Sequence, residues 1–180
     1  MRSRLTIAIG LVVLAATLAE AQAARGAAAA SGSPTVVVET VKGTIEIQLF
    51  DKDAPKSVEH VVALVKRSFY RSQRVHRAEA ALIQFGDPQS RDMTKTGSWG
   101  TGSSYNPIGV AEFSKRTHVR GMVGLANSGN PKLADSQIYI MKAPSSSLNG
   151  KYVIIGQVTK GMDVVDKLQY ADMIKMVTVK

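Results

Sequence analysis

The residues best suited to chemistry lie at the end of a stretch from Gly121 to Ile140 that combines two strand-like runs with a polar loop. Because side chains alternate between the two faces of a strand, Gln137 and Tyr139 share one face, while Ile138 and Ile140 share the other. A ring that holds an apolar group beside an amide that bonds a peptide backbone is suited to grip an extended polypeptide. The alternative for this segment alone is a hairpin whose outer face carries a glutamine and a tyrosine without function.

Metal and phosphate chemistry have little support along the chain. The histidines at positions 60, 76 and 118 are far apart and there is no cysteine, so the ligand spacing of a zinc site is missing. In a strand, His76 faces away from Arg77, which favours a buried, hydrogen-bonded histidine over a general base. Residues 97–102 are rich in glycine but lack the lysine and the strand-to-helix setting of a phosphate loop, so we expect a turn-rich loop near the groove.

Several motifs, in the same order along the chain, resemble those of the cyclophilin family of peptidyl-prolyl cis/trans isomerases. Residues 75–78 (Val-His-Arg-Ala) and 82–88 (Leu-Ile-Gln-Phe-Gly-Asp-Pro) are similar to the family's Phe-His-Arg-Val and Met-x-Gln-Gly-Gly-Asp-Pro. Residues 125–129 and 135–140 are similar to Met-Ala-Asn-Ala-Gly and Gly-Ser-Gln-Phe-Phe-Ile, and residues 148–166 resemble the closing strand and the start of a helix. Several motifs in the same order are much stronger evidence of resemblance than any single motif.

The resemblance implies an isomerase that needs no cofactor and no metal and that binds proline-containing polypeptides. Rotation about an X–Pro bond faces a barrier of roughly 18–20 kcal/mol because the nitrogen lone pair is shared with the carbonyl. A fixed guanidinium that donates to the prolyl nitrogen withdraws this lone pair and favours the twisted state. Arg77 matches the arginine to which the family assigns this catalytic role. Without the resemblance, a surface arginine on an outer strand is the alternative.

Around this arginine the family places a small pocket for the proline ring and polar groups that clamp the flanking peptide. The resemblance assigns substrate binding to Leu82, Tyr139 and Leu148 as apolar walls, to Gln84, Asn127 and Gln137 as partners of the peptide backbone, to Ala126 where the peptide passes closely, and to Tyr152 as a hydroxyl donor at the groove edge.

The sequence also departs from the family's pattern, and we expect the departures to concentrate in the pocket. Val75 replaces a phenylalanine, Phe85 replaces a glycine, and Ser147 occupies the place of a tryptophan or phenylalanine. The link at residues 79–81 is one residue shorter than the usual Pro-Gly-Phe and lacks its aromatic ring. Each lost pocket aromatic removes contact worth about 1–3 kcal/mol. The alternative function is therefore a noncatalytic peptide-binding or chaperone module with an eroded proline pocket.

The elements that must position these residues are mostly strands. Thr35–Val41 and Gly43–Leu49 predict an opening hairpin, in which Ile45, Ile47 and Leu49 face one way and polar residues the other. Further strands are predicted at residues 74–78, 81–85, 121–126, 136–141, 152–158 and 174–180.

Two helices are predicted beside these strands. The first begins with Asp53 as cap and Pro55 in the first turn, and it carries an apolar stripe at residues 58, 61, 62 and 65. The second runs from Met162 to about Gln169. This pattern favours a mainly β fold, a closed antiparallel eight-stranded barrel capped by two helices, which is also the fold that the resemblance implies.

Residues 1–23 are typical of a secretory signal peptide. Arg2 and Arg4 precede an apolar run at residues 5–18, and Ala-Gln-Ala at residues 21–23 forms a small-residue cleavage site. The apolar run, about 14 residues, is shorter than the roughly 20 that span a bilayer, which argues against a membrane anchor. Residues 24–33, rich in Ala, Gly and Ser, predict a flexible linker before a cyclophilin-like domain at 34–180. We expect an exported protein, periplasmic or secreted.

The formal net charge is +9, and a basic protein attracts anionic partners such as nucleic acid and anionic lipid. Lys66, Arg67, Arg71, Arg74 and Arg77 fall close together, but no aromatic residues are interleaved with them as in a nucleic-acid motif. The first two are better explained as a helix end favoured by the macrodipole. We expect a monomer with proline-containing polypeptides as partners and no specific nucleic acid.

Overall fold

The computed structural model describes residues 32–180, so the predicted signal peptide and most of the predicted linker lie outside the described residues. The strands and α-helices of this part follow in the order β1 (Thr35–Thr40), β2 (Gly43–Leu49), α1 (Pro55–Lys66), β3 (Arg77–Ala78), β4 (Leu82–Phe85), β5 (Met122–Leu125), β6 (Ile138–Met141), β7 (Ile154–Lys160), α2 (Met162–Lys167) and β8 (Ile174–Val179). Every predicted strand is present, and the boundaries differ by a few residues.

The strands form a single antiparallel sheet in the order β3-β4-β6-β5-β7-β2-β1-β8. The sheet curls until the segments preceding its two edge strands meet, where Arg74 and Met173 form an isolated bridge. The amide of Val75 donates to the carbonyl of Asp172 at 2.9 Å beside this bridge. The prediction of a closed barrel is thus only partly confirmed, since β3 and β8 approach each other without forming a ladder.

The opening hairpin has the predicted alternation. Ile45, Ile47 and Leu49 are buried, whereas the residues between them are exposed or half-buried. Val36 and Val38 of β1 lie opposite Ile47 and Ile45 and face the same core. Two strands that each bury one face therefore begin the apolar interior of the sheet.

Helix α1 buries a stripe against this interior and packs against β8. Val58, Val61 and Val65 are buried as predicted, and Leu64, which the prediction left out, is fully buried. Val62 is only partly buried. The stripe therefore lies slightly to one side of the predicted one.

The predicted cap of α1 is wrong. Pro55 does occupy the first turn, but the cap position is Ala54, and the free amides of Lys56 and Ser57 donate to the Glu112 carboxylate at 3.0 and 2.8 Å. Asp53 pairs with Arg116 instead, at 2.6 Å. A carboxylate at a helix N-terminus satisfies unpaired N–H groups and matches the macrodipole, wherever in the sequence it comes from.

Helix α2 begins after Gly161, whose φ of 88° places it in the left-handed region, and it ends at Lys167, earlier than predicted. It packs against β2. In the described part of the chain, no helix has the length and apolar character required to cross a membrane.

Candidate active site

Eight of the nine residues predicted for the site line one pocket of about 200 Å³. These residues are Arg77, Leu82, Gln84, Ala126, Asn127, Tyr139, Leu148 and Tyr152. The ninth, Gln137, lies in an adjoining depression of about 420 Å³ that shares Gln84, Ala126 and Asn127 with the pocket. The pocket and the depression together form a continuous groove.

A row of residues across four neighbouring strands forms the floor of the groove. Arg77 of β3 lies opposite Gln84 of β4, which lies opposite Tyr139 of β6, which lies opposite Gly124 of β5. Directly opposed residues of antiparallel strands point to the same face of the sheet. Leu82, two positions from Gln84, shares that face. The strand order therefore brings together side chains that are far apart in sequence.

Arg77 holds its guanidinium between two acceptors. Nε and one terminal nitrogen donate to the two oxygens of Glu79 at 2.7 and 2.9 Å. The other terminal nitrogen donates to Oε1 of Gln84 at 3.4 Å. The hydrogen bond from Arg77 holds the pKa of Glu79 below its ordinary value, and the same bond raises the pKa of Arg77. The arginine is thus a charged donor at every physiological pH, with a fixed plane.

The amide of Gln137 is the centre of a hydrogen-bond network behind this arginine. Its Oε1 accepts from Nε2 of Gln84 at 2.7 Å and lies 3.1 Å from Nε2 of His76. Its Nε2 donates to the carbonyls of Gly100 and Gly102 at 2.8 and 2.7 Å. Every hydrogen-bonding group of this amide is used within the protein, so Gln137 organises the groove.

His76 is hydrogen-bonded as predicted, but its side chain is half-buried and not buried as expected. Since it faces an amide oxygen, Nε2 carries the proton, and Nδ1 is buried without a partner. Burial lowers its pKa, although the nearby carboxylate of Asp87 and the bond to Gln137 oppose this. A neutral histidine in this tautomer supports Gln137, and it is poorly placed to act as a base.

Asp87 ties the glycine-rich loop to the network. Its carboxylate is fully buried, and it accepts from the amides of Gly100 and Gly102 at 2.6 and 3.1 Å. A side chain at position 102 would collide with this carboxylate, which explains the glycine there. Residues 100–103 line the depression, so the predicted turn-rich loop does adjoin the groove.

A second buried carboxylate, that of Asp135, lines the depression. Asp135 accepts from Ser104 Oγ at 2.5 Å and from the amide of Asn106 at 3.2 Å, and its Oδ1 lies 2.8 Å from Nε2 of His60 on α1. Burial acts to raise the pKa of Asp135, but these hydrogen bonds outweigh it and hold the pKa below its ordinary value. The pair connects the loop that borders the groove with helix α1.

The apolar side of the pocket is a small cluster separate from the main core. Leu82, Tyr139 and Met141 are buried in it, and Leu148 and Tyr152 pack against them. The rings of Tyr139 and Tyr152 meet edge to face with centroids 6.0 Å apart. These surfaces are suited to hold a small apolar group.

The hydroxyl of Tyr139 is anchored away from the pocket by His118. Nδ1 of this buried histidine faces the Asn149 side-chain oxygen at 2.9 Å, so Nδ1 carries the proton and Nε2 accepts from Tyr139 at 2.7 Å. Burial lowers the pKa of His118, which favours this neutral form. A Cβ at position 124 would overlap the Tyr139 hydroxyl, so Gly124 makes room for the tyrosine.

A family model described as "Cyclophilin type peptidyl-prolyl cis-trans isomerase/CLD" matches residues 35–180. The chain belongs to the cyclophilin family. A protein named "Probable peptidyl-prolyl cis-trans isomerase" from Brucella suis is 38% identical over 151 residues, which cover 82% of this chain and 77% of the relative. The isomerase CYP18-1 of Arabidopsis thaliana is 34% identical over 136 residues, 75% of this chain and 82% of the relative.

Solved structures agree on the fold. A cyclophilin-type isomerase of Cryptosporidium parvum, crystallised in the presence of the dipeptide Ala-Pro, superimposes with a TM-score of 0.71 at 24% identity, covering 81% of this chain and 98% of that chain. Isomerisation of X–Pro bonds is the activity that the family and these relatives share, and this cyclophilin is a peptidyl-prolyl cis-trans isomerase.

The departures of this cyclophilin from the family's motifs do not concentrate in the pocket as expected. Val75 and Phe85 are buried in the main core. The Phe85 ring packs edge to face on the Tyr70 ring, with the ring centroids 6.0 Å apart. Ala81 is half-buried in the turn beside Leu82, and Ser147 is exposed. The loss of aromatic surface near the pocket is therefore confined to the short link and to position 147.

Other site residues were missed by sequence reasoning. Glu79 had a usable signal, because it lies two positions from Arg77 and so shares its strand face. His118 had none, since its partner Tyr139 is distant in sequence. Asn127 was expected to bind peptide, and its side chain connects two loops, accepting from the amide of Gly129 in its own loop and donating to the carbonyl of Lys151 in the loop before β7. Within residues 32–180, no group of three His, Asp or Glu side chains is placed to hold a metal ion.

Proposed function

We propose that this cyclophilin isomerises X–Pro bonds by donating a hydrogen bond from Arg77 to the prolyl nitrogen. The observation that carries the proposal is the fixed guanidinium on the wall of a pocket whose opposite side is apolar. As the C–N bond twists, the nitrogen regains its lone pair and becomes a better acceptor, so the donor stabilises the twisted state more than either planar state.

The rest of the pocket supplies binding and orientation in this proposal. Leu82, Tyr139, Leu148 and Tyr152 hold the proline ring, while Gln84, Ala126 and Asn127 border the path of the flanking peptide. The pocket holds the ring while the preceding carbonyl turns, so binding of the proline also orients the bond that rotates. No covalent step and no cofactor takes part, because the reaction is a rotation about one bond.

The test of this proposal compares wild type with two variants in a protease-coupled assay on a series of X-Pro peptides. We expect wild type to accelerate isomerisation, Arg77→Ala to lose most of that activity, and Arg77→Lys to recover little, because an ammonium lacks the planar fork. Thermal melting controls for folding and should change little. Equal activity in Arg77→Ala would remove Arg77 from the mechanism, and an equally large loss of stability would make its contribution structural.

We further propose that the protein is exported and assists the folding of exported proteins that contain proline. The support is the charged, apolar and small-residue sequence of residues 1–23, followed by a segment rich in small residues. Expression of the full chain followed by N-terminal analysis of the cell-envelope and culture fractions tests this. We expect a mature chain that starts at Ala24, whereas an intact Met1 found with the cytoplasmic fraction would contradict export.

A further inference from the structure

We propose that Glu79 is a positioning residue that fixes the guanidinium plane of Arg77 for catalysis. This inference rests on the proposed action of Arg77 and goes beyond it. The link that contains Glu79 lacks the family's aromatic ring, and its acidic side chain makes the shortest hydrogen bonds of the arginine, at 2.7 and 2.9 Å.

The shortened link places Glu79 on the arginine's side of the strand. Arg77 pairs with Gln84 and Ala78 with Ile83, and the amide of Glu79 then donates to the carbonyl of Leu82 at 2.8 Å. The pairing therefore continues by one step and closes a tight turn with two alanines at its centre. Since residues two apart on a strand point the same way, the turn directs Glu79 along the Arg77 side chain.

Packing alone does not fix this arginine. β3 is a two-residue edge strand, and 47% of the Arg77 side chain is exposed. A long side chain in such a position samples many rotamers. Three of its contacts restrict it, two to Glu79 and a longer one, at 3.4 Å, to Gln84. The two bonds to Glu79 form a bidentate pair, which sets the plane as well as the position of the guanidinium.

The geometry leaves donors for a substrate. Glu79 engages Nε and one N–H of a terminal nitrogen, and a guanidinium has five N–H donors in one plane. The carboxylate thus holds one edge of the fork while donors on the other edge remain directed to the pocket. Both oxygens of Glu79 are occupied by Arg77, so its charge is compensated within the pair.

The experiment measures kcat and KM separately for Glu79→Ala and Glu79→Gln in the full chain, each in the wild-type and Arg77→Ala backgrounds. Three peptides with the same X-Pro centre carry a flanking lysine, alanine or glutamate. We expect Glu79→Ala to lower kcat by roughly five- to tenfold with KM nearly unchanged, equally for the three peptides. Glu79→Gln keeps one acceptor oxygen and should fall between. Neither substitution should matter in the Arg77→Ala background.

The matched control is Asp166→Ala. Asp166 lines the same surface depression as Glu79 and pairs with Arg120, but it has no contact with Arg77, so kcat should not change. A second readout does not depend on activity: relaxation of the Arg77 side-chain Nε–H in NMR should report a rigid group in wild type and a mobile one in Glu79→Ala.

The inference is overturned if Arg77 stays rigid in Glu79→Ala, or if kcat is unchanged while wild type is active. An effect that persists without Arg77, or that depends on the charge of the peptide, would overturn it too, because Glu79 would then act on the peptide directly. A wild type without isomerase activity would instead count against the proposed mechanism, and the mobility of Arg77 would still decide whether Glu79 fixes it.

Discussion

The polar side of the groove and its apolar side are built in different ways. On the polar side, Arg77, Gln84, Gln137 and His76 form a connected network in which the amide groups are bonded to side chains or loop carbonyls. The apolar side is a small cluster that has lost aromatic neighbours and is anchored by the hydroxyl of Tyr139. Because of this difference, we expect the proposed donor on the polar side and the proposed proline pocket on the apolar side to be separable experimentally.

The largest expected effect comes from breaking the polar network at its centre. Gln137→Leu leaves the donors of Gln84 and His76 and the carbonyls of Gly100 and Gly102 without their partner. Because an unsatisfied buried group costs about 1–3 kcal/mol, we expect the free energy of unfolding to fall by several kcal/mol and kcat to fall with it. Denaturant titration and steady-state kinetics measure both. Unchanged stability with weakened peptide binding would make Gln137 a direct peptide ligand instead.

On the apolar side, we expect a substitution to weaken peptide binding much more than it slows isomerisation. Tyr139→Ala removes the ring that closes the pocket floor, and we expect peptide affinity to fall about 10- to 100-fold, corresponding to roughly 1.5–3 kcal/mol of lost burial. The isomerisation rate of bound peptide should change much less. Tyr139→Phe is the control, since it keeps the ring and removes only the bond to His118. Equal losses of affinity in both variants would mean that the hydroxyl matters more than the ring.

The missing aromatic ring offers a gain-of-function test. Ala81→Phe places a ring beside Leu82, on a turn whose position is fixed because the Ala81 carbonyl accepts from the amides of Lys142 and Ala143. Recovered contact of about 1–2 kcal/mol predicts a roughly tenfold higher affinity for a proline peptide by isothermal titration. Ala80→Phe, at the exposed neighbouring position, should give no gain. A folded Ala81→Phe variant that binds no better would favour the alternative that the groove serves another ligand.

A smaller effect should appear in the pH dependence of stability. Burial lowers the folded-state pKa of both His76 on the polar side and His118 on the apolar side. The unfolded chain, with histidine pKa near about 6.5, therefore binds more protons as pH falls, so stability decreases as pH drops through that value and levels off below the folded pKa values. We expect a lower Tm at pH 5 than at pH 7.5, with a shallower slope in His118→Gln. A Tm that does not change between these pH values would contradict neutral buried histidines.

The helices and strands were predictable because they depend on local patterns. The alternation of Ile45, Ile47 and Leu49 identified β2, and Pro55 identified the start of α1. The cap of α1 was not predictable, because Glu112 reaches it from a distant loop. Barrel closure was overestimated for a similar reason: it depends on how far β3 extends towards β8, and periodicity does not determine where a short edge strand ends.

For the site residues, too, local features were predictable and contacts between distant segments were not. The ordered motifs identified the residues that line the pocket, since each motif lies on a strand or loop whose residue types are read directly. The motifs did not reveal that Val75 and Phe85 face the core, because a match of residue types along the chain does not say which neighbours a side chain meets. Nor did they indicate His118, whose contact with Tyr139 exists only through the packing of two separate segments.

The proposed division of roles is that Arg77 acts on the twisting bond and the apolar side acts on binding. Its most direct measurement is NMR exchange spectroscopy of an X-Pro peptide with wild type and Arg77→Ala, which yields the rate of cis/trans exchange on the protein and the dissociation constant together. We expect Arg77→Ala to bind the peptide with nearly wild-type affinity while exchange of bound peptide falls on the order of a hundredfold or more. Exchange that continues at the wild-type rate in bound peptide, or affinity lost in the same proportion as exchange, would contradict it.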